Sequence, residues 1–104
     1  MAVYTTITTS PATTTLITKG SGVSGNIKKI SIANVDGHQA DNVCLYLEDA
    51  SANKFHFFKD LDIPMGTSLV LDDNLSFDSS IFDLKIITQN ASDGGTPSLT
   101  IIIK

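Results

Sequence analysis

Apolar residues recur along this chain at every second position, and that period admits extended strands and little else. Val43, Leu45 and Leu47 alternate with Cys44, Tyr46 and Glu48. A strand turns successive side chains to opposite faces, so one set meets a core and the other meets solvent. The same period runs through Ile30 and Ile32, through Phe82, Leu84 and Ile86, and through Leu99, Ile101 and Ile103. Turn-forming clusters punctuate the strands: Asp36-Gly37, residues 49–53, Pro64-Met65-Gly66, Asp72-Asp73-Asn74, Asp78-Ser79-Ser80 and residues 90–97 with Asp93-Gly94-Gly95. Short strands with a turn roughly every 8–12 residues predict an all-β chain, an antiparallel β-sandwich of about eight strands, jelly-roll or immunoglobulin-like. The odd positions of 43–47 and the even positions of 82–86 are expected to meet in its core.

Two stretches are less regular. Lys54–Lys59 reads KFHFFK, with Phe55 and Phe57 expected on one side and His56 and Phe58 on the other. Leu61 and Ile63 continue the odd positions. Residues 1–18 are rich in Thr and hold no charged side chain before Lys19. Pro11 divides them into two extended pieces, roughly 3–9 and 13–19, since proline cannot donate to a ladder. The expected organisation is therefore a sandwich over 19–104, preceded at 1–18 by a Thr-rich arm or by the sandwich's own first strands.

Composition narrows the function. Charged residues make up only 17% of the 104 positions, against about 25% in an average globular domain, and 12 Thr and 11 Ser take their place. A helical bundle would need more charge on its surface. Seven Lys face eleven acids, for a net charge of −4, and there is no Arg. Nucleic-acid binding needs a basic footprint and favours Arg for reading guanine, so it is not expected. Phosphoryl transfer loses its usual clamp for the same reason. No apolar run approaches the roughly 18 residues that span a bilayer, and no basic-then-apolar start resembles a signal peptide. A soluble chain in a reducing cell interior is the expectation. Cys44 stands alone and reads as a small residue within a sheet.

The residues that could carry chemistry are scattered. His38 lies near Asp36 and Asp41, the right ligand types for a metal but without a second His at ligand spacing. His56 sits between two Phe residues and reads as an outward strand residue. The acid pairs Asp60/Asp62, Asp72/Asp73 and Asp78/Asp83 lie in or beside turns, where Asp side chains bond nearby backbone N–H groups. Asp72, Asp73 and Asn74 offer oxygen ligands without the spacing of a calcium loop. No Ser stands in a G-x-S-x-G elbow, and Gly20–Gly25 lacks the Lys-Ser/Thr ending of a phosphate loop. Neither a catalytic residue nor a cofactor nor a metal is expected.

Two segments carry a family likeness: Lys29-Ile30-Ser31-Ile32-Ala33-Asn34-Val35-Asp36-Gly37, and the run from Phe57-Phe58-Lys59-Asp60 through Ile63-Pro64-Met65-Gly66-Thr67-Ser68-Leu69-Val70-Leu71-Asp72. Over roughly residues 14–104 the order of these motifs resembles small virion proteins of tailed bacteriophages, marine phages especially. The resemblance implies a structural protein of the particle, assembled in the host cytoplasm. A capsid decoration subunit that binds and reinforces the head lattice, as a trimer or at symmetry axes, is the first expectation. A tail, neck or fibre-associated component is the alternative, and a small carbohydrate- or host-surface-binding module a third. The implied partners are the major capsid protein or other virion proteins and further copies of the chain, with no nucleic acid and no membrane. An uncharged strand is a pairing template. Val3, Tyr4, Thr5, Ile7, Thr9, Leu16 and Ile17 are accordingly the expected interface residues.

Overall fold

A computed structural model describes residues 2–9, 11–23, 25–35, 37–72, 75–89 and 95–104. It contains eight strands: β1 (Val3–Ile7), β2 (Ala12–Ile17), β3 (Ile30–Asn34), β4 (Ala40–Glu48), β5 (Lys54–Ile63), β6 (Ser68–Leu71), β7 (Asp83–Gln89) and β8 (Leu99–Ile103). They form two four-stranded sheets, sheet A in the order β1-β8-β3-β6 and sheet B in the order β2-β7-β4-β5. Every pairing is antiparallel. The pairs nest, β1 with β8, β2 with β7, β3 with β6 and β4 with β5, as if one long hairpin were folded over itself. That is a jelly roll, the double Greek-key form of the β-sandwich.

The core lies between the sheets. Sheet A sends in Ile7, Ile30, Ile32, Leu99, Ile101 and Ile103, and sheet B sends in Val43, Leu45, Leu84 and Ile86. Each such side chain removed from water contributes about 1.5–3 kcal/mol, and β-branched residues suit the pleat that presents them. In β2 the register shifts between Thr15 and Ile17. This bulge lets the consecutive Leu16 and Ile17 both reach the core.

Asn34 ties one end of the sandwich together. Its buried side-chain amide donates to the carbonyls of His38 (2.7 Å) and Ile63 (3.0 Å). Its backbone N–H donates to Thr67 O, and its carbonyl accepts from Gly66 N. The tight turn after Ile63 needs Gly66 at φ +73, a conformation that a β-carbon disfavours. The two segments of family likeness thus meet at a single buried asparagine. At the far end Gly25 runs beside the 75–77 segment, exchanging a backbone hydrogen bond with Phe77. A β-carbon at Gly25 would collide with the Phe77 carbonyl.

Two expectations change on this fold, and one open alternative narrows. Residues 3–7 and 12–17 are paired with β8 and β7, as the sandwich's own first strands would be. Val43, Leu45 and Leu47 with Leu84 and Ile86 do face the core, but from adjacent strands of one sheet. Their partners across the core are the isoleucines of sheet A. Phe82, just before β7, lies outside the core cluster with its ring edge-on to Phe55. Along β5 the alternation breaks: β4–β5 register shifts fall between Val43/Leu45 and Leu45/Tyr46. His56 then pairs with Tyr46 on the outer face, while Phe57 and Phe58 both pack against the core. The extra residue of a bulge resets which face each later side chain meets. Asp36, Asp73, Asn74 and 90–94, including the Asp93-Gly94 turn, lie outside the described residues.

Candidate interaction surface

The outer faces of the two sheets are built from different residues. On sheet A, the registers line up Tyr4, Ile102, Ser31 and Val70 in one row across β1, β8, β3 and β6. A second row holds Thr6, Thr100, Ala33 and Ser68. None is charged. Tyr4 is 71% exposed and Val70 45% exposed. Val35, 64% exposed, prolongs the face beyond the end of β3, where its N–H still donates to Ser98 O. At the opposite end the ladder continues through Lys29 and Lys104, whose backbones exchange N–H···O bonds. Those two lysines, Ser31 and Ile102 line a shallow depression of about 170 Å³. The face is therefore mixed Thr/Ser/aliphatic and bordered at one end by positive charge.

Sheet B presents charged side chains around one covered ring, and its edge strand β5 leaves Phe55 and Leu61 exposed. Lys85 Nζ bonds Glu48 Oε1 at 2.7 Å, and this bond holds the Lys85 ammonium above its ordinary pKa. Tyr46 is buried although it points away from the core. The His56 ring lies 5.3 Å from its ring centroid, and the Lys54 ammonium lies 5.4 Å away. Burial, followed by the nearby Glu48 carboxylate, pushes the Tyr46 hydroxyl above its usual pKa. Beside it, Cys44 Sγ accepts from Asp60 N at 3.5 Å. Asn42 and Asp60 both take positive φ where β4 and β5 fall out of step.

The expected interface residues divide on this fold. Ile7, Leu16 and Ile17 are buried in the chain's own core, and Val3 packs against it. Thr5 is half-buried in β1, and Thr9 is exposed just beyond it. Only Tyr4 stands on the outer face of sheet A. The rest of that face escaped the sequence reading, although a signal was there. The alternate positions of β3, β6 and β8 are Ser, Ala, Val, Thr and Ile, where those of β4, β5 and β7 include Lys, Glu and His.

Two acids expected in turns act as turn formers. Asp49 accepts from Ser51 N and Asn53 N, and Asp78 from Ser80 N. Bonds from Asn53 to Asp49 and from Ser80 to Asp78 hold both carboxyls below their ordinary pKa. Among the described residues no three metal-ligating side chains converge.

The chain is a jelly-roll β-sandwich, and comparison with known proteins gives it neighbours in fold. No family model matches it, and no curated protein matches it in sequence. Among solved structures, Pseudomonas aeruginosa AlgX is similar at a TM-score of 0.56 and 9% identity, over 98% of this chain and 26% of AlgX. The SPBc2 prophage-derived protein YomS is similar at 0.50 and 12% identity, over 99% of this chain and 94% of YomS. A chain of the infectious bursal disease virus Gx strain reaches 0.49 and 14% identity, over 98% of this chain and 29% of that one. This chain thus spans about a quarter of AlgX but nearly all of YomS.

Proposed function

We propose that this chain is a structural subunit of a tailed-phage particle, a capsid decoration protein that binds the head lattice through the outer face of sheet A. The observation that carries the reading is that face: two cross-strand rows without a charge, three exposed apolar side chains (Tyr4, Val35 and Val70), and a lysine border at Lys29 and Lys104. A large part of any specific contact is apolar area whose core is depleted of charge. The lysine border suits a partner with acids at one margin. The motif likeness to virion proteins supports the same reading, and so does the near full-length match in fold to a prophage-derived protein.

The test is particle fractionation. Phage particles carrying this chain are disrupted stepwise, and heads and tails are separated and probed for it. Recovery with heads supports decoration. Recovery with tails replaces it by a tail or neck role, and absence from mature particles removes the particle reading altogether. Ser31→Lys with Val70→Lys, which charges the middle of the face, is expected to lower occupancy on heads at least tenfold, about 1.4 kcal/mol.

A further inference from the structure

Among the described residues, four strands have an unpaired edge: β1 and β6 in sheet A, β2 and β5 in sheet B. An open edge is a template for another strand, and proteins blunt it with charge, bulges, proline or shortness. The β5 edge carries Lys54, Lys59, Asp60 and Asp62 and slips register repeatedly against β4. The β2 edge is broken by its bulge at Thr15/Ile17. The β6 edge is four residues long and closes on Asp72. By contrast β1 has none of these devices. Its five residues stay in unbroken register with β8, and VYTTI contains neither a charge nor a proline.

We propose that β1 pairs with β1 of a second copy of this chain, antiparallel, about a two-fold axis normal to the sheet at Thr5. The sequence is self-complementary in that register. Thr5 meets Thr5 of the second copy, Val3 meets its Ile7, and Tyr4 meets its Thr6. Thr–Thr, β-branched and aromatic–β-branched partners are the favourable cross-strand pairs. The two-fold operation keeps inward positions inward, so both cores stay on the same side. Tyr4, 71% exposed in the single chain, gains a neighbour on its open flank. Neither β1 nor β2 brings a charged side chain to the seam, because none precedes Lys19. Like strands related by a two-fold axis form a closed, isologous contact. Two four-stranded sheets become one of eight strands, and the uncharged outer face doubles in width. The inference goes beyond the particle reading and stands without it.

Sedimentation equilibrium of the purified chain tests it. A monomer–dimer equilibrium is expected. Tyr4→Lys with Thr6→Lys sets lysine opposite lysine twice across the seam and is expected to weaken the dimer about tenfold or more. Tyr4→Glu with Thr6→Glu does the same with negative charge, and mixing the two variants restores a heterodimer. Both positions face solvent, so circular dichroism and the urea midpoint verify that the variants stay folded. A chain that stays monomeric at every concentration overturns the inference. So does a dimer indifferent to the lysine pair, or a mixture that fails to reassociate. Failure to bind particles leaves it intact, and a strictly monomeric chain leaves the particle reading intact.

Discussion

Sheet A and sheet B hold the same number of strands and enclose the same core, yet they are finished differently. All three pairings within sheet A run in unbroken register. Every pairing within sheet B contains a shift. Among the described residues the non-glycine positive φ angles fall in sheet B or its connecting turn, at Asn42, Ala52 and Asp60. So do the Lys85–Glu48 ion pair and the covered ring of Tyr46. The contrast separates an irregular, charged surface from a regular, uncharged one, and the proposed contact rests on the second. Bulges and charges twist and solvate one face. The other stays regular and free of charge along its two cross-strand rows.

Four measurements can break or sharpen that contrast. The largest effect is expected from Ile101→Ala, which opens a cavity under the middle of sheet A. It should cost about 3–4 kcal/mol in urea unfolding. A cost below about 1 kcal/mol would mean that sheet A is loosely packed, and its regularity would lose its significance.

Next comes Asn34→Ala, which leaves the His38 and Ile63 carbonyls without their side-chain donor. Removing the donor of a buried hydrogen bond costs about 1–3 kcal/mol. The bond to Ile63 is buried while that to His38 is part-buried, so a loss of about 2 kcal/mol is expected. Amide exchange in the 63–67 turn should accelerate. Unchanged exchange there would show that the asparagine does not bind the end of β5 to the end of β3.

The surface pair is smaller. Lys85→Met removes an ion pair whose side chains are about a fifth exposed, and at neutral pH it should cost less than about 1 kcal/mol. Its signature is alkaline. The folded pKa values of Lys85 and Tyr46 are raised. Their contribution is therefore complete below the unfolded values of 10.5 and 10.0 and disappears as pH rises through the folded ones. Stability measured through that range should fall less steeply in Lys85→Met and Tyr46→Phe than in the parent.

The smallest effect lies at low pH. Asp49 and Asp78 have lowered pKa values in the fold. Their contribution is present above the unfolded value of 3.8 and is lost as pH falls through the folded ones. Asp49→Ala should therefore be less stable than the parent at neutral pH and converge with it in acid. A gap that persists in strong acid would assign the effect to packing of the turn.

How much of this was visible in the residues alone depends on whether a feature is local. Alternation is local, so the strands around 43–47, 82–86 and 99–103 and the turns between them could be read directly. So could the isoleucine core of β3 and β8, because a period of two already separates the inward set. The bulge in β5 could not. KFHFFKDLDI alternates well enough on paper, and only pairing with β4 decides that Phe57 and Phe58 face the same core. The status of residues 3–17 was equally open, since an uncharged Thr-rich stretch serves an arm or an edge.

The sequence by itself determined an all-β sandwich, the core-facing positions of its regular strands β3 and β8 and of residues 43–47, and the lack of charge near its start, because each follows from side-chain chemistry and a two-residue period. Only the tertiary structure decided which strands adjoin. Neighbours in a sheet are set by hydrogen bonds between segments far apart in the chain, as between β1 and β8. That adjacency gathers unremarkable Ser, Thr, Ala and Val positions into one neutral face, and it leaves β1 with an open edge.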